Sequence, residues 1–317
     1  MNKRLRGTTL IELAAVAGIA VTVLTMAFAS FARYRELSKR LVCSMNLKGI
    51  GAVALIYGEN HNDLWMVPPF KSALIDVEGI DYVNDTPSIN VPVSDPGEVG
   101  YDRPFQSTSE TLQDPTAGSV AAATTRSFWM LVRSGDVHLP QFVCPSSEDT
   151  VDGTEDILLY YDFTGYRNIS YGYQVPFGPR ATQPNSLADP GRIQAADKGP
   201  FYSQRSNIDW RYDGHNLEVD SPPNEWRKYN SANHGGYSNG EGQNCLYADG
   251  HVCFHVKPIV GVDHDNIYTL MLDLWDVDKG IIYGELPQTA PTPPYPGQEA
   301  FGSGPGRFSV TDSLIYP

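Results

Sequence analysis

The sequence lacks several signals that mark common enzyme classes. It has no C-x-x-C pair, no P-loop and no glycine-rich dinucleotide fingerprint. These absences argue against a zinc ribbon, a thioredoxin-type redox centre and a nucleotide site built on those motifs. The acidic residues show no spacing that singles out a glycosidase. From the sequence we therefore expect no enzyme activity.

Basic side chains are also scarce. The chain has 23 Lys and Arg residues against 37 Asp and Glu residues, which gives a net charge of −14. Lys3, Arg4 and Arg6 lie among the first seven residues, so the rest of the chain carries a net charge of −17. A chain with this excess of acidic residues has no basic surface for binding nucleic acid, and we expect no nucleic-acid partner. The low share of charged residues (19%), with 29 Gly and 24 Pro, favours a loop-rich domain with sheets over a helical bundle.

Cysteines are few, and the sequence alone does not fix how they pair. The four are Cys43, Cys144, Cys245 and Cys253, and four cysteines allow three pairings. Two disulfides become plausible if this part of the chain lies outside the cytoplasm.

The N-terminal segment is basic and then apolar. The 20 residues from Leu13 to Ala32 carry no charge, which is enough for a helix to cross a hydrocarbon core of about 30 Å. Basic residues before this stretch predict that the N-terminus lies inside and the rest of the chain outside. Glu12 stands at the edge of the stretch, where an unpaired acid costs at least ~2.5 kcal/mol on insertion scales. The N-terminal segment allows three interpretations: an uncleaved anchor, a cleaved secretory signal and a prepilin leader.

The segment GTTLIEL (7–13) resembles the cleavage motif of type IV prepilins. The resemblance implies that prepilin peptidase cuts after Gly7 and leaves Glu12 as the fifth residue of the mature chain. Thr8 stands where the family usually has Phe, which leaves its methylation open. In pilins and pseudopilins, the carboxylate at the position of Glu12 is thought to pair with the N-terminal ammonium of a neighbouring subunit. An ion pair in an apolar core is tolerable, whereas an unpaired carboxylate is not.

The apolar helix is expected to continue past the membrane. Leu47, Ile50, Ala54 and Tyr57 recur at steps of three and four residues, which is typical of one buried helix face. Gly58, with the Asn and Asp residues that follow it, supplies a stop. We predict a leader at 1–7, one helix over 8–58 with a transmembrane half at about 10–32, a globular head over 59–286 and a Pro/Gly-rich tail over 287–317.

The head is expected to be α+β, with the long helix packed on a loop-rich antiparallel sheet in a pilin-like arrangement. Residues 127–135 predict a short helix or buried strand that closes at Gly135. LPQFVCPSS (139–147) places Cys144 just before a turn. Aromatic and β-branched residues predict strands in ILLYYDF, NISYGYQV and IIYGEL. The tail from Pro287 to Gly306 is expected to lie extended over the surface.

NCLYADGHVCFHV (244–256) predicts a β-hairpin. Asp249-Gly250 is a turn dipeptide, and apolar residues flank it on both sides. A loop at residues 248–250 would bring Cys245 opposite Cys253. The preferred pairing is therefore Cys245–Cys253 together with Cys43–Cys144, although cross-strand disulfides are often strained.

Residues in and near this hairpin suggest two hypothetical metal sites. His234, His251, His255 and Asp249 could be imagined as a zinc or hydrolytic site, but spacing alone does not supply three convergent ligands. The preferred interpretation is structural, with Asp249 as a turn former and His234 bonded to nearby backbone. Calcium is the one cofactor that the residues suggest. Its candidate ligands are Asp263, Asp265, Asp276 and Asp278, of which the last two form a fragment of an EF-hand pattern.

Several segments in order resemble prepilin-type proteins that carry the processing-associated H-x(9)-DG domain. These are CSMNLKGIGAVALIYGENHND, LPQFVCPSS, NISYGYQV, RIQAADKGP and NHGGYSNGEGQNCLYADGHV. The family motif falls on His234, Asp249 and Gly250, with fourteen residues between His234 and Asp249 where the family has nine. The resemblance implies a pseudopilin-like route of export and assembly, and no established catalytic activity.

The sequence therefore predicts a structural subunit of a type IV pilus or a type II secretion-like fibre. Its expected partners are prepilin peptidase, other pilin or pseudopilin subunits and the membrane. Its expected place is the inner membrane, as a single-pass protein with the head outside, or a filament beyond it. The alternative is a membrane-anchored binding protein or metal-dependent enzyme that uses the acidic, aromatic head.

Overall fold

The structure is a computed structural model, and it combines one long N-terminal helix with antiparallel sheets in an α+β fold. The described residues are 9–67, 72–73, 82–83, 124–155, 157–159, 163, 166–174, 176, 183–200, 217–235, 240–268, 270–276, 281–285, 311 and 313–316.

Helix α1 spans Leu10–Asn60, and it confirms the predicted continuous helix. Thr9 is its N-cap: the Thr9 hydroxyl accepts a hydrogen bond from the Glu12 backbone N–H, and the Glu12 carboxylate accepts one from the Thr9 N–H. This reciprocal capping box satisfies two of the donors that every helix start leaves unpaired. The helix ends as predicted after Gly58, where Asn62 and Asp63 adopt positive φ angles of 56° and 65°.

The two halves of α1 have different surroundings. In the second half, Cys43, Leu47, Ile50 and Ala54 are at most 1% exposed, and their spacing of four, three and four residues places them on one face. That face packs against the sheet of the head, mainly on strand β5 (Gln243–Tyr247). The first half buries none of the described side chains between Leu10 and Met26.

The main sheet is antiparallel throughout, with the order β6-β5-β4-β3-β9. Its strands are β3 (Tyr171–Gln174), β4 (Ile193–Asp197), β5 (Gln243–Tyr247), β6 (Val252–His255) and β9 (Ile315–Tyr316). Two separate hairpins are β1 (Ser72–Ala73) with β2 (Tyr82–Val83), and β7 (Leu270–Asp276) with β8 (Ile281–Glu285). The predicted strands in NISYGYQV and IIYGEL are confirmed as β3 and β8.

A second helix completes the core. Helix α2 spans Thr125–Ser134 and ends at Gly135, whose φ of 82° is the left-handed conformation that glycine adopts without strain. Of the two predicted alternatives, a short helix or a buried strand, the structure shows the helix, and it closes at Gly135 as predicted. Phe128 of α2 packs against Phe142 and Tyr173, with ring centroids 5.3 and 5.0 Å apart, so α2 covers the sheet with aromatic contacts.

Three parts of the head differ from the predictions. Residues Ile157–Leu159 form a 3₁₀ turn and not a strand, so the strand prediction is wrong there. Strand β4 is not predicted, because its sequence IQAAD has little of the β-branched and aromatic content that marks strands. Strand β9 lies within the segment predicted as a tail, and Ser313, Leu314 and Ile315 are fully buried. The segment from Pro287 to Gly306 lies outside the described residues.

Gly242 should tolerate no side chain. Its φ is 144°, and a Cβ atom there would overlap the backbone oxygen of His255 on the neighbouring strand. We expect Gly242→Ala to lower the free energy of unfolding by about 2–3 kcal/mol, because strain and a backbone clash add. Gly153→Ala is the matched control, since no atom lies within 4 Å of its Cβ position. Urea unfolding of the full chain in detergent measures both, and equal stability of the two variants would contradict the prediction.

Candidate functional site

Four buried side chains from distant parts of the sequence meet where α1 packs on the sheet. Cys43 comes from α1, Cys144 follows the 3₁₀ turn Leu139–Phe142, Asp197 ends strand β4, and His234 precedes strand β5. Each is at most 1% exposed. One donor atom from each lies within 4.8 Å of the others, and this is the group of metal-ligating side chains found among the described residues. We call these four residues the junction cluster.

Local structure holds each member of the cluster in place. The backbone N–H of Ser147 donates to the Cys144 carbonyl over 3.0 Å, which forms the turn predicted after LPQFVC. His234 pairs with Gly242 in an isolated antiparallel bridge. Asp197 ends the central strand β4, whose five residues are all buried.

The distances within the cluster are those of direct contact. His234 Nε2 lies 3.4 Å from Asp197 Oδ2 and 3.7 Å from Cys144 Sγ. Cys43 Sγ lies 3.4 Å from Asp197 Oδ1 and 3.1 Å from the hydroxyl of Tyr171. The imidazole and the carboxylate therefore bridge the two thiols.

The Asp197 carboxylate is surrounded by donors. Its Oδ2 accepts from the backbone N–H of Asn244 at 2.7 Å and from the amide of the same residue at 3.1 Å. Its Oδ1 accepts from the amide of Asn233 at 3.0 Å. A buried carboxylate persists only with such partners, and these bonds fix its orientation.

His234 is held from its other side by Glu36 of α1. His234 Nδ1 lies 3.0 Å from Glu36 Oε1, and the hydroxyl of Ser146 donates to both Glu36 oxygens at 2.9 and 3.0 Å. Glu36 also lines a cleft of about 710 Å³ between α1 and the head, together with Arg33, Arg40, Arg227 and Glu241 among others. The cluster is closed, but its supporting carboxylate faces this cleft.

The electrostatics favour an ion pair between His234 and Asp197. Burial disfavours the charged imidazole, but Asp197 outweighs this effect and raises the pKa of His234 to about 11. Burial would raise the pKa of Asp197, yet His234 and the Asn donors lower it overall. Burial also opposes ionisation of Cys144, but bonds with Cys43 and His234 lower its pKa to about 7. The pKa of Cys43 is raised well above its usual value, chiefly by burial. Cys144 is thus the more readily ionised thiol.

A second buried ion pair lies beside the cluster. Lys198 Nζ donates to Asp149 Oδ1 at 2.6 Å and to the Ile169 carbonyl at 2.9 Å. The Ser170 hydroxyl donates to the other oxygen of Asp149 at 2.6 Å. Lys198 and Asp149 are at most 8% exposed, so the residue after Asp197 ties β4 to the loop after Cys144.

All four cysteines are free thiols in the structure. Cys245 lies opposite Cys253 in the register of the β5–β6 hairpin, although Cys245 is buried and Cys253 is exposed. Cys43 and Cys144 meet in the cluster. In both predicted disulfides, the two cysteines lie next to each other in the structure. The disulfide bonds themselves stay predictions.

The family-motif residues separate into a cluster and a turn. Gly250 has a φ of 84°, and Asp249 accepts from the His251 backbone at 3.0 Å, so the predicted turn is confirmed. His251 stacks on Tyr247 at 4.0 Å between ring centroids, and His255 lies 2.8 Å from the hydroxyl of the same tyrosine.

The imagined zinc site on the hairpin is wrong in its ligands. His234 contacts Glu36, Asp197 and Cys144, whereas Asp249 and His251 bond to each other in the exposed turn. The expected bond of His234 to nearby backbone is present at its carbonyl, which accepts from the Glu241 N–H at 2.8 Å, whereas its ring contacts these side chains.

The calcium candidates are described only in part. Asp265 is 1% exposed, and its carboxylate accepts from the Ser313 backbone at 2.8 Å, which ties it to the C-terminal strand. Asp263 is exposed in a turn, with a φ of 56°. The side chain of Asp276 and all of Asp278 lie outside the described residues, so calcium binding stays a prediction.

One motif and two residues were missed when functional residues were predicted from the sequence. Residues 236–240, GYSNG, match G-x-S-x-G, but they precede strand β5, whereas a nucleophile elbow sits between a strand and a helix. Residues 236–239 lie outside the described part of the chain. Asp197 and Glu36 were not singled out, because a carboxylate in an Ala-rich strand or an exposed-looking helix turn carries no local signal.

The processing residues lie at the edge of what the structure describes. Gly7 and Thr8 lie outside it, and Glu12 is exposed in the capping box at the start of α1. Helix α1 is long and apolar enough to cross a membrane by length and composition. Arg33–Asn60 is the stretch that is long enough, and part of it packs on the head, whereas Leu10–Met26 is a shorter apolar stretch whose described side chains are all exposed.

Comparison with family models, with curated proteins and with solved structures found no match. The function is therefore inferred from the chain's own residues.

Proposed function

We propose that this protein is a structural pilin-like or pseudopilin-like subunit that assembles through its N-terminal helix into a fibre. The observation that supports this proposal is the division of α1 into an exposed apolar half and a half packed on the head. Leu10, Ile11 and Met26 are 86%, 81% and 73% exposed, whereas Leu47 is fully buried. An apolar surface of this length needs lipid or other helices to cover it.

In a subunit of this kind, lipid covers the apolar surface first, and the helices of other subunits cover it after assembly. The stretch Leu10–Met26 first lies in the inner membrane, with Lys3, Arg4 and Arg6 on the inner side. After prepilin peptidase removes the leader, the same surface packs against equivalent helices of other subunits. The head is carried outside the membrane at the end of the helix.

Glu12 suits this sequence of events. In the single chain its Oε2 accepts from the Thr9 N–H at 2.8 Å. A carboxylate has about four acceptor positions, so capping leaves capacity for the ammonium of a neighbouring subunit. The same acid can thus be satisfied by its own helix before assembly and by an ion pair after it.

The alternative of a binding protein with an aromatic head has less support. Trp65, Trp129 and Trp226 are at most 1% exposed, and Tyr171 and Tyr173 are also buried. These described aromatic residues of the head pack inside it, where they are not available to stack on a sugar.

Mass spectrometry of the native N-terminus tests the processing step. We expect the mature chain to begin at Thr8, because cleavage after Gly7 creates the ammonium that Glu12 needs. Gly7→Leu is the control, since a bulky side chain at the cleavage position should leave the leader attached. A chain that retains Met1 in cells containing prepilin peptidase would contradict the proposal.

A further inference from the structure

We propose that the junction cluster is a structural zinc site that fastens helix α1 to the head. Its ligands are Cys43 Sγ, Cys144 Sγ, His234 Nε2 and one carboxylate oxygen of Asp197. Two thiolates, an imidazole and a carboxylate are donors that zinc takes, whereas calcium takes oxygen ligands and does not select thiolates. The site is distinct from the aspartates that the sequence suggested for calcium.

The spacing of the donors fits tetrahedral coordination. Zinc bonds of about 2.3 Å to sulfur and 2.0–2.2 Å to nitrogen and oxygen place tetrahedral ligands about 3.4–3.8 Å apart. His234 Nε2 lies 3.7 Å from Cys144 Sγ and 3.4 Å from Asp197 Oδ2. Cys43 Sγ lies 3.4 Å from Asp197 Oδ1. His234 and Cys43 lie near different oxygens of Asp197, so the carboxylate would turn to present one of them to the ion, and one donor atom of each residue already lies within 4.8 Å of the others.

The residues around the cluster orient the ligands as those of metal sites do. His234 Nδ1 lies 3.0 Å from Glu36 Oε1, so the Nδ1–H donates to a carboxylate and Nε2 faces the other three ligands. A carboxylate behind a ligating histidine fixes its tautomer and its ring orientation. Asn233 and Asn244 hold the Asp197 carboxylate in the same way.

The burial of the cluster makes it a structural site. All four ligands are protein side chains that are at most 1% exposed, so no position is left open for a substrate. Binding displaces the protons of the two thiols and the Nε2 proton of the His234 imidazolium, and it leaves zinc with two thiolates, one carboxylate and a neutral imidazole. The ion would join α1, the loop after residue 142, strand β4 and the segment before β5. The nearby cleft reaches Glu36, whose carboxylate contacts the ligand His234.

Zinc binding is tested on the full chain, purified in detergent with a thiol reductant. After dialysis against zinc and then buffer, elemental analysis should find one zinc per chain. Cys144→Ser and His234→Gln should each retain less than a tenth of that amount. Cys253→Ser is the matched control, because that thiol is exposed and lies outside the cluster, and it should retain the full amount.

Glu36→Gln separates loss of the site from loss of the fold. This substitution leaves all four ligands in place, and we expect it to weaken zinc binding by about 10–100-fold in a chelator competition. Circular dichroism should show the same helix content as the unaltered chain. Cobalt added in place of zinc gives a second readout, since a thiolate-to-cobalt absorption should appear and should be lost in Cys144→Ser.

Two results would overturn the proposal. One is a reduced chain that holds no zinc and shows no thiolate-to-cobalt absorption. The other is zinc retained equally by Cys144→Ser, His234→Gln and the unaltered chain, which would place the ion elsewhere. A Cys43–Cys144 disulfide in the isolated protein, seen as a mass lower by two hydrogens, leads to the first result if the chain still binds no zinc after reduction.

Discussion

Replacing Glu12 with alanine should leave leader cleavage intact and abolish incorporation into fibres. If the proposed assembly is correct, the substitution removes the carboxylate that neutralises a neighbour's ammonium in an apolar core. Leaving a buried charge without its partner costs about 3–5 kcal/mol. An effect of that size corresponds to more than about a hundredfold loss of incorporation. Sheared fibres probed for the subunit measure it directly.

The local role of Glu12 is too small to explain such a loss. In the single chain, Glu12→Ala removes one half of the capping box with Thr9. The loss of a cap costs about 1 kcal/mol, and α1 is 51 residues long, so the helix itself should persist. Circular dichroism of the variant in detergent should therefore match that of the unaltered chain.

Glu59→Ala is the control for this experiment, because it removes an exposed acid from the other end of the same helix. It should assemble normally. The expected pattern is a cleaved Glu12 variant that stays in the membrane fraction beside a Glu59 variant that reaches the fibre. Normal incorporation of Glu12→Ala would refute the assembly role of this residue.

Local patterns predicted the parts of the fold that local physics determines. The continuous course of α1 followed from apolar spacing and from the stop after Gly58, with predicted bounds of 8–58 against Leu10–Asn60 in the structure. The hairpin around Asp249-Gly250 followed from its turn dipeptide, and the end of α2 from Gly135. In each case the signal lies within a few residues of the feature, so no knowledge of distant contacts was needed.

Strands that depend on tertiary contacts were not predicted. The central strand β4 is Ala-rich, and it is a strand because β3 and β5 pair with it on both sides. Strand β9 consists of two residues that pair with β3. Residues Ile157–Leu159 carry strand-like composition but form a 3₁₀ turn. Composition describes the side chains, whereas pairing is decided by the rest of the chain.

The candidate site shows the same limit. Cys43, Cys144 and His234 were singled out from the sequence because cysteine and histidine are rare and reactive. Their meeting point was not predicted, since they are separated by about a hundred residues each. Asp197 and Glu36 were missed because carboxylates are common and these two acquire their roles only when α1 docks on the sheet.

Asp197 should be among the most sensitive positions in the head. Its fully buried carboxylate accepts hydrogen bonds from Asn233 and Asn244 and lies 3.4 Å from His234 Nε2. Asp197→Ala would leave Nε2 of the charged imidazole without its carboxylate partner and several buried donors without an acceptor. We expect a loss of about 3–5 kcal/mol in the free energy of unfolding. Asp136→Ala, an exposed acid in the turn after α2, should change it by less than about 0.5 kcal/mol.

The cause of the loss can be separated from metal binding and from packing. Unfolding in the presence of a zinc chelator removes any contribution from a bound ion, so the remaining loss measures the hydrogen bonds and the ion pair. The double variant Asp197→Asn with His234→Gln removes both charges while it preserves the approximate shapes of the two side chains. Because a neutral pair leaves no uncompensated buried charge, the double variant should be more stable than Asp197→Ala. If Asp197→Ala unfolds at the same urea concentration as Asp136→Ala, the buried ion pair does not stabilise the junction between α1 and the sheet.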